Sequence, residues 1–321
     1  MQQKPAPVVL FVYNRPQHTE QCLAELAKNT LAIETELYIF SDGPKQESDL
    51  EKIKAVRALI KNISGFKDVK ITERETNLGL ANSVIRGVTE VINIHNRVIV
   101  LEDDLITCSN FLNYMNNALD YYEDHPKAGS VTGFSLPPSL YPLPSDYPFE
   151  VYFSHKACST GWGTWKHIWD TVDWEVSDYD SFMKDKKRKK QFNSTGNNAV
   201  LMLKHYRKGI IDSWAIRWHY HHFKNDFYCV FPVSNLLYNT GFDGTGIHSK
   251  EVNDSFYNIK YDPDRVNFEF TAHIEENLEV NHNFQRAFNL PVSVMFWIHF
   301  KKYIFYDYIK QKNKRNAEVK L

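Results

Sequence analysis

Residues 98–108 read VIVLEDDLITC: four apolar residues, three acids, then an apolar run again. Val98 to Leu101 form a short, β-branched run of the kind that makes a strand buried on both faces. Glu102, Asp103 and Asp104 stand where that strand ends. Adjacent carboxylates repel one another, and acids at the end of a buried strand are costly unless a cation neutralises them. Hard oxygen donors in such a cluster suit Mg²⁺ or Mn²⁺, which bind through one or two carboxylates plus substrate phosphates. A solvated acidic loop, or acids at the N-terminus of a following helix, would leave the same letters.

The preceding hundred residues alternate between two periods. PVVLFVYN (7–14), ELYIFSDGP (36–44), DVKITERE (68–75) and RVIVLEDD (97–104) read as strands. Between them, 15–29 carries Cys22, Leu23, Leu26 and Ala27 at helical spacing, and 47–63 carries Leu50, Ile53, Val56 and Ile60 on one face. NLGLANSVIRGVTEVINIH (77–95) reads as a helix opened by a glycine-containing turn. Such alternation predicts an α/β fold, with a mostly parallel central sheet flanked by helices and ligands at the carboxyl ends of its strands. Asn14 and Arg15, then Ser41, Asp42 and Gly43, then the acidic triplet all fall at those ends.

Beyond residue 105 the pattern changes. A helix over 110–123 leads to SVTGFS (130–135), a Pro-rich loop (136–148) and an aromatic stretch, VYFSHKACSTGWGTWKHIWDTVDW (151–174). The division expected is a first half over 1–135, a second half of the same domain over 136–250, and an extension over 251–321. The run KDKKRKK (184–190) reads as a solvated helix face or a binding patch. FWIHFKKYIFYDYIKQKNKRN (296–316) mixes aromatic and basic residues; a membrane-surface helix, a packing element or a dimer contact would each carry that composition.

Composition excludes some classes. The formal net charge of −1 offers no basic field for nucleic acid. Cys22, Cys108, Cys158 and Cys229 are scattered with no CxxC pair, which fits a reduced, cytoplasmic protein better than a zinc or disulfide scaffold. The N-terminal apolar run is too short for a signal peptide, and no stretch approaches a membrane span. The aromatic content of 14% suits either stacking on sugar-like ligands or an aromatic core.

VVLFVYNRP, IFSDGP, NLGLANSVIRGV and VIVLEDDL, in that order and spacing, resemble the nucleotide-sugar-binding half of a GT-A glycosyltransferase. The EDD form, with GWGTWKHIWD and IDSWAIR downstream, is most similar to the N-acetylglucosaminyltransferase I type and to bacterial polysaccharide enzymes that share those blocks. The resemblance implies a GT-A, Rossmann-like fold with a C-terminal acceptor-side extension. It implies a UDP-sugar donor, GlcNAc among the candidates, Mn²⁺ or Mg²⁺, and inverting transfer to a hydroxyl. It further implies that Arg15 and Asp42 contact the nucleotide, that Asp104 ligates the metal, and that Glu102 and Asp103 bond ribose and sugar hydroxyls. Ser83 stands where the family has a histidine facing the uracil.

Inversion needs one general base at the acceptor hydroxyl. Asp212, in GIIDSWAIRW, is the candidate, although the family has two consecutive acids before its tryptophan and this chain has Asp212 then Ser213. A helix N-cap or a salt bridge to Arg217 are the plainer roles for Asp212, and Asp170 and Asp173 are rival bases. Gly161 and Trp162, in STGWGTW, could bring backbone and indole onto a sugar face, or form a tight turn over a core tryptophan. In YNTGFDGTGIHS (238–249), His248 is the second metal-ligand candidate by the same resemblance. His219, His221 and His222 lack a HExxH or cysteine partner and read as ordinary buried or surface histidines.

The implied acceptor is a glycan or lipid-linked saccharide, met at the inner face of a membrane if the basic-aromatic tail binds one. A sugar-phosphate nucleotidyltransferase would want a glycine-rich phosphate loop after the first strand, where this chain has YNRPQHT (13–19). A catalytically silent UDP-sugar or carbohydrate-binding protein would keep the donor site and lack a working base. No GxGxxG follows the first strand, which argues against NAD chemistry.

Overall fold

The computed structural model describes residues 4–136, 142–241, 268–275 and 277–289. Its elements begin with β1 (Val8–Val12), α1 (Pro16–Leu26), β2 (Glu36–Ser41), α2 (Leu50–Ile60), β3 (Asp68–Glu73), α3 (Leu80–His95) and β4 (Arg97–Glu102). The chain continues through β5 (Leu105–Thr107), α4 (Phe111–Tyr122), β6 (Ala128–Thr132), β7 (Val151–Ser154) and β8 (Trp162–Trp165). Four helices follow, α5 (Lys166–Trp169), α6 (Tyr179–Lys184), α7 (Lys186–Asn193) and α8 (Ala199–Arg207). The last described elements are α9 (Trp214–Lys224), β9 (Tyr228–Pro232), β10 (Leu237–Asn239) and α10 (Leu278–Phe288).

Eight strands form one sheet in the order β3-β2-β1-β4-β8-β6-β9-β7. β1, β2, β3, β4, β6 and β9 run one way, and β7 and β8 run against them. The expected α/β class and mostly parallel sheet are therefore present. Every residue of β1 is buried, as its unbroken apolar run requires. Each fully buried Val, Leu or Ile there stabilises the fold by roughly 1.5–3 kcal/mol.

The helices cover the sheet with the predicted stripes. Cys22, Leu23 and Leu26 of α1 are buried, as are Ile53, Val56 and Ile60 of α2. Leu50 departs from its expected place: at the first position of α2 it is 37% exposed. α3 lies so close to the sheet that a Cβ on Gly87 would fall 2.8 Å from the Phe11 ring, itself stacked on Phe40. Asn96 ends α3 in the left-handed conformation, φ 64°, and turns the chain directly into β4.

One feature was not predicted: β8, from the aromatic stretch, inserts antiparallel between β4 and β6. Strands from both halves of the chain thus share one sheet. A smaller apolar cluster, including Phe182, Phe192, Leu203, Ile216 and Tyr220, fastens α6, α7 and α8 to α9. No helix among the described residues is long and apolar enough to cross a membrane. The basic-aromatic run at 296–316 lies outside the described residues.

Candidate active site

Strand register brings the polar ends together. Phe11 of β1 pairs with Glu102 of β4 on one side, and Val12 pairs with Ser41 of β2 on the other. Arg15, Asp42 and the triplet therefore leave the same sheet edge. The triplet is no helix cap: Asp103 and Asp104 form the turn between β4 and β5, and α4 starts only at Phe111.

The cation that meets the acids is Arg15. Its Nη2 donates to Asp103 Oδ1, and its Nη1 donates to Asp104 Oδ2 at 3.1 Å. Burial pulls the Arg15 pKa down, but the two carboxylates outweigh it and hold the guanidinium charged. Burial, together with Asp104 and Asp103, pushes Glu102 up to about 8. Asp103 is pushed up to about 6 by burial, against the pull of Arg15.

Asp103 Oδ2 is buried without a hydrogen-bond partner. From across the edge, Thr240 donates to the Asp104 carbonyl through N (2.8 Å) and Oγ1 (3.1 Å). Gly241 follows so closely that a Cβ there would fall 2.3 Å from Asp104 Oδ2. Among the described residues no group of three or more His, Cys, Asp or Glu side chains is disposed to hold a metal. Hard carboxylate oxygens suit Mn²⁺ or Mg²⁺, and Asp104, 14% exposed against 4% for Asp103, is the one of the pair that could serve as ligand, with phosphates and water completing the shell.

Asp42 is buried and organises the neighbouring loops. Its Oδ1 accepts from Gly43 N (3.1 Å) and Leu78 N (3.0 Å), and its Oδ2 accepts from Leu78 N as well (3.0 Å). These bonds hold the turn that opens α3. Gly43 is needed here, because a Cβ would meet Thr76 and Glu75 backbone atoms at 2.5–2.7 Å. Arg57, which the sequence reading did not single out, ties the same loops by donating to the carbonyls of Asp42 (3.4 Å) and Arg74 (2.6 Å). Ser83 is buried and its hydroxyl accepts from Arg74, whose guanidinium lies over the Phe40 ring at 5.2 Å. The hydroxyl that the resemblance places toward the base is thus bonded to Arg74 in this structure.

Asp212 stands just before α9, with its side chain 60% exposed. Its Oδ2 lies 3.5 Å from where a Cβ on Gly79 would be, beside the turn that Asp42 caps. The N-cap of α9 is Ser213, whose Oγ accepts from Ile216 N at 3.3 Å, so Asp212 is free of that duty. Arg217 Nη2 lies 3.6 Å from Asp212 Oδ1 and is itself fixed by the carbonyls of Ser213 and Trp174. The rival acids serve local structure. Asp170 pairs with Lys166 at 2.6 Å, and Asp173 accepts from Ser177 and Glu175 in a turn. Ser213→Ala should cost about 1 kcal/mol of stability through the lost cap. An unchanged urea midpoint would show that the cap bond contributes nothing.

Trp162 requires the clearest correction. It lies in β8, is 1% exposed, and packs against Trp214 (5.2 Å), Trp218 (5.5 Å) and Trp169 (5.8 Å). It is a core residue with no face left for a sugar. Gly161, at φ +53°, makes room for Leu237, whose Cδ2 would lie 2.1 Å from an added Cβ. His248 lies outside the described residues.

His219, His221 and His222 are all buried, each with its own partners. His219 accepts from Ala157 N (3.2 Å) and meets Thr195 Oγ1 (2.7 Å); His222 meets Ser130 Oγ (2.9 Å); His221 meets Asn225 (3.1 Å). Burial holds His219 and His222 well below the usual imidazole range, and His221 down to about 4. Depressed in the fold, these groups take up protons on unfolding. Their stabilisation is complete above the unfolded value near 6.5 and is lost as pH falls toward 4, at up to about 1.4 kcal/mol per pH unit for each histidine. Urea titrations at about pH 7 and about pH 5 should show that loss. Equal stability at both would contradict the neutral, buried assignment.

Two pockets, of about 120 and 210 Å³, lie toward the far end of α9, beside Lys224 and Asp226. Neither contains an edge carboxylate, so the candidate site rests on the groups at the sheet edge.

No family model matches the sequence, and no curated protein matches it significantly. Among solved structures, the chain is similar to the mannosyltransferase PcManGT from Pyrobaculum calidifontis, determined with GDP-Man and Mn²⁺. Identity is 13% and the TM-score 0.40, over 70% of this chain and 71% of that one. It is also similar to residues 1–349 of S. aureus TarS, at 12% identity and a TM-score of 0.42, over 74% of this chain and 60% of that one. Likeness at this level assigns neither donor nor metal, so the chemistry must be read from this chain's own residues.

Proposed function

We propose that the chain is a GT-A-type glycosyltransferase that moves a sugar from a nucleoside diphosphate to an acceptor hydroxyl, with inversion. One observation carries the reading. The chain leaves β1 to one side to build β2 and β3, then crosses to the other side to build β4, so strand order reverses between β1 and β4. Ligands of open α/β sheets bind outside the carboxyl ends of the strands at such a reversal. Arg15 follows β1 there, Asp103 and Asp104 follow β4, and Asp42 shapes the adjoining loop. An exposed carboxylate, Asp212, stands beside that loop.

In this reading the donor nucleotide lies along the β1–β2 side, with its diphosphate over Arg15 and Asp104. UDP is the nucleotide and GlcNAc the first sugar to try, both from the sequence resemblance. When bound, Mn²⁺ or Mg²⁺ would supply charge neutralisation at the diphosphate leaving group. Asp212 takes the proton of the acceptor hydroxyl as its oxygen bonds to the anomeric carbon. The bond from that carbon to the diphosphate oxygen breaks on the opposite face. The products are an inverted glycoside and the free nucleoside diphosphate. A glycan or lipid-linked saccharide is the proposed acceptor class.

A panel of UDP, GDP and CDP sugars, with Mn²⁺, tests the reading by thermal shift and by release of the nucleoside diphosphate. A donor at a hundred times its Kd should stabilise the protein by about 2.7 kcal/mol. If no nucleotide sugar moves the melting temperature, the donor-site reading fails.

A further inference from the structure

We propose that Arg15 is the built-in counter-cation of the Asp103–Asp104 pair, and that it competes with a divalent metal for Asp104 until a nucleotide diphosphate draws it away. The proposal rests on the reading of this edge as a diphosphate site. Its first test needs no nucleotide.

The geometry is specific. The guanidinium places one nitrogen on each carboxylate, on Asp103 Oδ1 and Asp104 Oδ2, and both of those ion pairs are largely shielded from water. The other oxygen of Asp103 is buried without a partner. Asp103 therefore offers a metal no reachable oxygen. Asp104 is the more open of the two, its side chain 14% exposed against 4% for Asp103, and Arg15 holds one of its two oxygens at 3.1 Å. A divalent cation approaching Asp104 would meet a fixed positive charge at the same carboxylate, and like charges at that range oppose each other.

A diphosphate changes the balance. Its oxygens match the guanidinium fork, so they offer Arg15 a partner as good as the carboxylates. They also supply ligands that a metal on one carboxylate lacks. Nucleotide binding then frees Asp104 for the metal, and by linkage the metal tightens the nucleotide equally. In the apo protein the same Arg15 holds the two acids together, so the site is ordered before any metal arrives.

The test is Mn²⁺ binding to the full chain, read from the solution EPR signal of free Mn²⁺, first with Mn²⁺ alone and then with UDP. Wild type should bind Mn²⁺ weakly alone and about tenfold or more tightly with UDP. Arg15→Gln should bind Mn²⁺ alone about tenfold more tightly than wild type, and its response to UDP should shrink to about threefold or less. Arg15→Lys keeps a positive charge and should bind Mn²⁺ alone nearly as weakly as wild type. Melting curves establish that each variant is folded, and if Arg15→Gln is not, Arg15→Met, which keeps the stem and removes the charge, takes its place with the same expected gain.

Equal or weaker Mn²⁺ binding by Arg15→Gln would overturn the proposal and leave Arg15 a purely structural tie. An equal gain in Arg15→Lys would also overturn it, because the effect would not follow charge. Failure of UDP to bind wild type would sink the donor-site reading, while the Mn²⁺-alone comparison would still judge the competition.

Discussion

Replacing Asp212 by asparagine should reduce sugar transfer by about 10²–10⁴-fold while leaving nucleotide affinity within about twofold of wild type. The large first effect follows from the role of the base: without a proton acceptor at the acceptor oxygen, attack on the anomeric carbon must generate an oxonium. The small second effect follows from the structure. Asp212 makes no hydrogen bond to the Asp42 loop or to the triplet, and Ser213, not Asp212, caps α9. Its contact with Arg217 is a 3.6 Å pair on a 60% exposed carboxylate, which adds little stability. The measurement is kcat for transfer beside calorimetric nucleotide affinity on the same preparation. Unchanged transfer by Asp212→Asn would move the base elsewhere. A protein that binds donor and never turns over, with or without the substitution, would be the silent binding protein.

Trp162→Ala should cost about 3–5 kcal/mol of stability, the range for truncating a buried tryptophan that the surroundings cannot collapse upon. Collapse is blocked because the indole sits in β8, between β4 and β6, with three further tryptophans packed on it. Urea unfolding reads the loss directly. If stability were unchanged and only the KM for sugar rose, the indole would be a ligand platform, and its place in the core would be wrong.

These two residues mark what the sequence could and could not convey. The first three βα units were legible because local signals agree. The first two strands are apolar runs and the third alternates polar with apolar, each helix carries one apolar stripe, and the turns carry Gly, Asn and Asp. The ligand edge follows from that alternation, which places Arg15, Asp42 and the acidic triplet together, while the parts assigned to Arg15, Asp42 and Asp104 come from the resemblance. Strand β8 was not legible. Its first residue, Trp162, pairs with Val100 of β4 and Thr132 of β6, and no local period announces a partner that distant. The two glycines, Gly161 and Gly163, instead suggest a backbone brought close to a sugar or a tight turn. In fact they admit Leu237 and the Val98 carbonyl to the strand.

The partner of Arg15 was hidden for a related reason. It lies 88 residues from Asp103, and only the register of β1 against β4 sets them face to face. Asp42 shows the same limit: its position was readable, while its bonds to Leu78 and Gly43 depend on how the loop after β3 returns. Arg57 and Thr240 went unnoticed because each acts through carbonyl oxygens, which leave no mark in a sequence.

The decisive measurement is UDP binding by calorimetry, with and without Mn²⁺, on wild type and on Asp104→Ala. Wild type should bind UDP far more tightly with Mn²⁺, and Asp104→Ala should lose that dependence, because Asp104 is more open to solvent than Asp103, whose unpaired oxygen is buried. UDP bound equally well without Mn²⁺ and without Asp104, or not bound at all, would mean that the three acids hold only Arg15.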